Sequence, residues 1–161
     1  MLRKRGARLE GKYDEENYRF DGPGKSTRRT TLRLRVLNGG PRGVLTVKGP
    51  ASFVGGVKVR EETEVEVKDA HATLDLLTEL GFRVEFTYNK RRAMWTLDGV
   101  VTVTLDTLDF GFFVELEGPL EVLPEKARSL DLDPKTALKD SYSVLARKHL
   151  QSSKRASAKT A

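Results

Sequence analysis

The stretch Val59-Arg60-Glu61-Glu62-Thr63-Glu64-Val65-Glu66-Val67 alternates charged and uncharged residues over most of its length. Because successive side chains of a β-strand point to opposite faces, this pattern predicts a strand with one charged and one apolar face. The charged face carries Arg60, Glu62, Glu64 and Glu66. The apolar face carries Val59, Thr63, Val65 and Val67, and Glu61 is the exception. A single strand of this kind is typical of a sheet that exposes one face to water.

Four other stretches repeat the alternation of charge and bulk. They are 32–36 (Leu-Arg-Leu-Arg-Val), 46–48 (Thr-Val-Lys), 90–92 (Lys-Arg-Arg) and 113–117 (Phe-Val-Glu-Leu-Glu). If the five strands close into a barrel, their charged faces line its interior with cations and carboxylates together. Such an interior suits a polyanion bridged by metal ions, and an open sheet with its charged face in water is the alternative.

Length and composition favour one globular domain. The chain has 161 residues, of which 38% are hydrophobic and 32% charged, enough to bury one core. No apolar run approaches the roughly 18 residues that a membrane-spanning helix needs, so no membrane partner is expected. The first residues lack the apolar segment of a secretory signal, and the absence of cysteine excludes disulfides and thiolate chemistry. These features predict a cytoplasmic protein.

The positive charge is concentrated near the C-terminus. The formal net charge is +6, but five basic residues and no acidic ones follow Asp140, which leaves 24 basic and 23 acidic residues in 1–140. The near-neutral body disfavours nucleic acid as a partner. We predict a single domain over residues 1–150 and a disordered basic tail over residues 151–161.

The order of the remaining elements indicates an α+β fold. Most predicted strands are joined by hairpin loops, and residues 94–97 either pair back on the preceding strand or continue it. One helix is inserted after Asp69, which can cap it, and Gly81 can end it. The segment after Gly118-Pro119 is predicted to be helical, and residues 1–12 are predicted to be a loose end or the last turn of a helix. An antiparallel sheet follows from this order.

These motifs carry a family resemblance. They are 32–35, 45–50 (Leu-Thr-Val-Lys-Gly-Pro), 60–67, 80–82 (Leu-Gly-Phe), 90–92, Trp95, 105–106 (Leu-Asp), 113–117 and 141–142 (Ser-Tyr). In this order, over roughly residues 13 to 145, they resemble the CYTH domain of the triphosphate tunnel metalloenzyme superfamily, and most of all its class IV adenylyl cyclase branch. The resemblance implies an antiparallel β-barrel of eight strands, a tunnel that binds a triphosphate.

The resemblance also implies roles for individual residues. Phosphate oxygens would be held by Arg33, Arg35, Lys48, Lys90 and Arg92. Arg60 would pair with a neighbouring glutamate or a phosphate. Metal would be bound by Glu115 and Glu117, with Asp106 and the Glu62/Glu64 pair completing or orienting the shell. Hard oxygen ligands favour Mg²⁺ or Mn²⁺ over zinc.

One departure from the family concerns its N-terminal Glu-x-Glu-x-Lys strand. Residues 1–12 contain the single glutamate Glu10, and the match at 64–68 falls in the strand already assigned to the arginine–glutamate motif. The sequence therefore predicts that the first strand and most of the following helix are missing. A wrong start site or a fragment, a natural short form without catalysis, and a strand supplied by a partner chain are the three explanations.

The resemblance implies several functions for one site. A class IV adenylate cyclase converts ATP to cyclic AMP and pyrophosphate, whereas a triphosphatase hydrolyses thiamine triphosphate, a nucleotide or inorganic triphosphate. A non-catalytic protein that binds polyphosphate, nucleotides or RNA ends is the alternative, and it agrees with the loss of a metal-binding strand. ATP or another triphosphate is the expected partner, a homodimer is left open, and no catalytic side chain is assigned.

Overall fold

The computed structural model describes residues 2–23 and 30–157, with side chains described as far as Gln151. The strands are β1 (Arg8–Asp21), β2 (Thr31–Leu37), β3 (Gly43–Lys48), β4 (Ser52–Val54), β5 (Val57–Val59), β6 (Glu62–Val67), β7 (Arg83–Leu97), β8 (Val101–Leu108) and β9 (Gly111–Glu117). The α-helices are α1 (Ala70–Glu79), α2 (Leu123–Ser129) and α3 (Tyr142–Ser157), and short 3-10 helices span Leu2–Arg5 and Pro134–Thr136.

One antiparallel sheet organises the fold. Its seven strands are ordered β6-β3-β2-β1-β7-β8-β9, and β4 and β5 form a separate hairpin. The predicted α+β fold with an antiparallel sheet is confirmed. Within the described ranges, β6 and β9 each pair on one side only, so hydrogen bonds do not close the sheet into a barrel.

The predicted strand over residues 59–67 is two elements. Val59 pairs with Ser52 in the β4–β5 hairpin, and β6 begins at Glu62. Arg60 and Glu61 separate the two strands, and the Glu61 carbonyl accepts a hydrogen bond of 2.8 Å from the Gly49 amide. The interruption includes Glu61, the residue at which the alternation fails, but alternation alone does not show that the two halves pair with different strands.

The structure extends β1 beyond the prediction and decides between the two alternatives predicted for residues 94–97. β1 starts at Arg8, within the segment expected to be a loose end, because it pairs with β7 as far as Arg8 opposite Thr96. Residues 94–97 continue β7 and do not turn back. This long pairing places β1 and β7 at the middle of the sheet.

One half of the apolar face of the sheet packs under α1. Phe20, Leu34 and Val36 form a buried cluster with Ala70 and Leu77 of the helix. Asp69 caps α1 as predicted, because its carboxylate accepts from the Ala72 amide at 2.9 Å. Gly81 ends the helix at φ +86°, a backbone conformation that favours glycine.

The other half of the apolar face packs under the N-terminal segment and α2. Leu97, Val101 and Val103 form a buried cluster with Ala7, Leu123 and Leu130. Val57 of the β4–β5 hairpin packs against the same cluster. Since the hairpin leads into β6, this contact brings the β6 side of the sheet towards β8 and β9 and shows that the sheet curves.

α3 lies against the opposite, polar face. The Tyr142 ring lies 5.1 Å from the Lys90 ammonium and 5.2 Å from the Phe113 ring. Ser143 accepts a hydrogen bond of 2.7 Å from Arg19. The helix continues to Ser157, past the boundary predicted at residue 150, and residues 158–161 of the predicted tail lie outside the described residues.

None of the helices in the described ranges is both long enough and apolar enough to cross a membrane.

Candidate functional site

The polar face of the sheet collects the charged side chains singled out in the sequence. Because both hydrophobic clusters occupy the other face, the alternating charged residues of seven strands all point to this one. We call this surface the polar face; it comprises Glu15 and Asn17 (β1), Arg33 and Arg35 (β2), Thr46 and Lys48 (β3), Glu62 and Glu64 (β6), Lys90 and Arg92 (β7), Thr104 and Asp106 (β8), and Glu115 and Glu117 (β9).

The tightest ion pairs lie around Asp106. Arg92 donates to both of its oxygens, at 2.8 and 2.6 Å, and Lys90 donates to Oδ2 at 3.1 Å. Arg92 also donates to Glu115 at 2.6 Å. Burial alone would raise the pKa of Asp106, but the hydrogen bonds from Arg92 and the charge of Lys90 outweigh it and lower that pKa. Asp106 is therefore ionised and pairs with both Arg92 and Lys90.

Glu15 is a site residue that the sequence reasoning missed. It is 3% exposed, and its carboxylate lies 3.5 Å from Arg35 Nε, 3.4 Å from Lys90 Nζ and 3.8 Å from Arg92 Nε. Three of the predicted phosphate-binding cations thus share one carboxylate on the central strand. The sequence could not select it, because charged residues stand on both sides of Glu15 and hide the alternation.

A second group of ion pairs lies on β2, β3 and β6. Lys48 pairs with Glu62 at 2.6 Å, and Arg60 pairs with the same carboxylate at 2.8 Å. Of the two partners predicted for Arg60, the structure shows the neighbouring glutamate. Arg33 and Arg35 approach Glu64 less closely, at 3.5 and 4.0 Å. The two arginines are therefore the loosely paired cations of the face.

The five carboxylates that the resemblance implies as metal ligands do not form one cluster. Glu62 and Glu64 lie on one edge strand, whereas Asp106, Glu115 and Glu117 lie on β8 and β9 at the other. Within residues 2–23 and 30–157, no three acidic or histidine side chains approach closely enough to hold a metal. Asp106, Glu62 and Glu64 are instead paired with arginine and lysine side chains.

Glu115 and Glu117 nevertheless fit a hard divalent cation. They alternate on β9, so both project from the same face, and Glu117 is exposed. Mg²⁺ is commonly bound through one or two carboxylates plus substrate phosphates and water, and it does not need an all-protein cage. The donor chemistry of this pair therefore suits a metal that arrives with a triphosphate.

Lys48 predicts a pH dependence of anion binding. Burial, followed by the charges of Arg33 and Arg60, lowers the pKa of Lys48 from 10.5 to about 8, although Glu62 opposes the shift. Because the unfolded lysine keeps its proton up to its higher pKa, folding stability rises with pH between about 8 and 10.5. The electrostatic attraction of an anion to Lys48 changes in the opposite direction, because the neutral amine carries no charge.

We therefore expect affinity for tripolyphosphate to fall as the pH rises through 8, by up to roughly tenfold per pH unit. Titration calorimetry of the wild type and Lys48→Arg measures this, since arginine stays charged. The protonation of tripolyphosphate itself affects both proteins equally. The difference between their pH profiles of affinity therefore reports the protonation of Lys48. Identical pH profiles for the two proteins would show that Lys48 does not contact the anion.

Comparison with known proteins agrees with this architecture. The sequence profile of the CYTH domain family matches residues 2–141. The chain belongs to the CYTH domain family. A protein of Methanocaldococcus jannaschii named "Putative adenylate cyclase MJ0240" is 28% identical to this CYTH domain over 131 residues, covering 81% of this chain and 74% of its own length.

Two solved structures share the fold of this CYTH domain. PH1012 from Pyrococcus horikoshii superimposes with a TM-score of 0.73 at 25% identity, covering 88% of this chain and 87% of its own. PH1819 from the same organism has a TM-score of 0.65 at 29% identity and covers 81% of this chain and 77% of its own. The open curved sheet with its polar face is thus the CYTH fold.

Proposed function

We propose that this chain binds the triphosphate group of ATP or of another triphosphate compound on its polar face and cleaves a phosphoanhydride bond in it. The observation that carries the proposal is the convergence of five cations from three strands on one side of the sheet. They are Arg33, Arg35, Lys48, Lys90 and Arg92.

The lengths of the ion pairs indicate which cations can exchange a carboxylate for a phosphate oxygen most easily. Arg33 and Arg35 hold their carboxylates at 3.5 to 4.0 Å, so phosphate oxygens replace these contacts at little cost. Each guanidinium can present two donors to two oxygens, whereas Lys48 acts as a point charge. Arg92 remains clamped to Asp106, so it contributes positive charge from a fixed position.

A divalent cation, Mg²⁺ or Mn²⁺, would be held by Glu115 and Glu117 together with phosphate oxygens. When bound, it would neutralise the charge that develops on the leaving phosphate. The chain's own contribution is to orient the phosphates and to stabilise that charge with fixed cations, which is a large part of catalysis in such reactions. No described side chain is assigned as a covalent nucleophile.

Two reactions use this arrangement. In the first, the ribose 3′-hydroxyl of ATP attacks the α-phosphorus, and the products are cyclic AMP and pyrophosphate; the name of the Methanocaldococcus jannaschii relative supports this reaction. In the second, water attacks the terminal phosphorus of a nucleotide, thiamine triphosphate or inorganic triphosphate. Separate assays of cyclic AMP and of released phosphate, with Mg²⁺ and with Mn²⁺, distinguish them.

A second candidate function is binding without turnover. The observation that favours it is that no three carboxylates of the described residues gather around one point. A protein of this kind would hold polyphosphate, nucleotides or RNA ends on the same cations. Binding with no product in either assay would establish this function.

We expect tripolyphosphate with Mg²⁺ or Mn²⁺ to raise the melting temperature. A ligand that binds only the folded state stabilises that state by about 2.7 kcal/mol at a hundredfold excess over its Kd. Arg35→Ala should remove most of this shift, since Arg35 is one of the loosely paired cations. Thermal melts with and without ligand measure both effects. Duplex DNA should produce a much smaller shift, and an equal shift with DNA would contradict the proposed triphosphate site.

A further inference from the structure

We propose that Asn17 contacts the triphosphate directly, as a neutral hydrogen-bonding partner beside Arg33 and Arg35. This inference rests on the proposed function and adds to it a residue for which neither the sequence pattern nor the family motifs gave a role. Its basis is that the Asn17 side chain is buried and that its amide has no hydrogen-bond partner among the described residues.

Asn17 is fully buried, at 0% exposure, yet neither atom of its amide group has a hydrogen-bond partner among the described residues. The Nε atoms of Arg33 and Arg35 also have no hydrogen-bond partner there, although Arg35 Nε lies 3.5 Å from the Glu15 carboxylate. Buried polar side chains in folded proteins are nearly always paired, so an unpaired one calls for an explanation. Here three such groups occur on two adjacent strands.

The register of the sheet places these groups side by side. Asn17 lies directly opposite Arg35 of β2 and opposite Tyr88 of β7. Its side chain shares the polar face with Glu15, two residues earlier, and Glu15 reaches Arg35 and Lys90. Asn17 therefore lies between Arg35 of β2 and Tyr88 of β7, two residues along β1 from the Glu15 that contacts Arg35 and Lys90.

A structural role does not explain the amide. An apolar side chain of the same volume would fill the position without leaving a donor and an acceptor unpaired, and it would be more favourable for folding. Thr46 shows what a structural polar residue looks like on this face: it is equally buried, but its hydroxyl contacts Glu64 at 2.8 Å and Arg33 at 3.3 Å. Asn17 has no such contact.

The chemistry of the amide fits a phosphoryl group. Its Nδ2 donates to a non-bridging oxygen next to the two arginines, and its Oδ1 accepts from a hydroxyl, either that of a protonated phosphate or that of the attacking nucleophile. An amide adds these hydrogen bonds without adding negative charge, which is what a polyanion site beside the carboxylate of Glu15 requires. Asn17 is therefore a substrate-binding residue of the polar face.

The test replaces Asn17 by leucine, which is similar in size but cannot form hydrogen bonds, and uses tripolyphosphate with Mg²⁺ as the probe. We expect Asn17→Leu to melt at the wild-type temperature or above it without ligand. Its Kd for tripolyphosphate, measured by calorimetry, should rise about tenfold, the effect of one lost hydrogen bond to a charged group. Asn17→Ala provides a smaller second variant and should weaken binding similarly.

Glu16→Gln is the matched control, because Glu16 is the exposed neighbour on the other side of β1. It should change neither the Kd nor the melting temperature. An unchanged Kd in both Asn17 variants would overturn the inference, as would a melting temperature without ligand that falls in both. If the wild type itself shows no binding, the proposed function fails, and that result is distinguishable from a failure of Asn17 alone.

Discussion

Arg92→Ala is expected to lower the melting temperature by about 6–12 °C. Arg92 is the bidentate partner of Asp106, which is 2% exposed. Removing one partner of a buried ion pair leaves a poorly compensated charge and costs about 3–5 kcal/mol. Lys90 stays near Asp106, so the lower end applies, and 1 kcal/mol corresponds to about 2–4 °C in a chain of this size. Thermal melts followed by circular dichroism measure the change.

Arg91→Ala supplies the control for this prediction. Arg91 is the neighbouring arginine, it is exposed, and it points to the opposite face of β7, so its loss should shift the melting temperature by about 2 °C or less. The double variant Arg92→Ala/Asp106→Ala should recover part of the loss, because the buried carboxylate is removed together with its partner. Equal effects of Arg91→Ala and Arg92→Ala would show that the Asp106 cluster carries no special stability.

The strand pattern of the sheet could be predicted because one face is polar and the other apolar along most strands. Leu34 and Val36 alternate with Arg33 and Arg35, and only one assignment of faces buries the aliphatic pair. The same logic located Lys48 and Glu115 on the polar face. Where polar and apolar residues alternate, the sequence is sufficient to assign each side chain to a face of the sheet.

The parts that the sequence could not predict lack this contrast. In β1, residues 14–16 are all acidic, so alternation does not show that Glu15 is buried among cations while Glu16 is exposed. The interruption at Arg60 and Glu61 divides the stretch over residues 59–67, and alternation does not predict that Val59 pairs with Ser52 while β6 pairs with β3. Pairing partners are a property of the whole sheet and are not encoded in any one strand.

The ion pairs also could not be predicted, although the residues in them were. Alternation predicts that Asp106 and Arg92 share a face. It does not predict that Arg92 donates a hydrogen bond to each oxygen of Asp106, a residue that the resemblance implied as a metal ligand. That outcome depends on the cross-strand register, in which Arg92 lies opposite Asp106. The carboxylates with the fewest competing cations are those of β9, at the edge of the sheet.

Glu117→Gln is therefore expected to lower kcat by about 100-fold at moderate Mg²⁺ concentrations, in whichever of the two reactions the wild type catalyses. The substitution keeps the size of the side chain and removes the charge that attracts the cation, and changes around a metal typically cost 10–100-fold in affinity or activity. Displacement of the reacting groups by about 1 Å adds a comparable loss. Glu115→Gln should act similarly. Steady-state assays with purified protein measure kcat and KM.

The binding of tripolyphosphate without metal separates this role from a structural one. It depends on the cations of β2, β3 and β7, so neither glutamine variant should weaken it, and removal of a negative charge should strengthen it slightly. Glu66→Gln is the matched control, because Glu66 lies on the same face of the sheet but on the opposite edge strand, and its kcat should stay at the wild-type value. High Mn²⁺ concentrations should restore part of the lost activity, because the defect lies in metal affinity. If Glu117→Gln and Glu115→Gln retain full kcat at every metal concentration, the reactive cation is held elsewhere, and the polar face positions the phosphates without these two carboxylates.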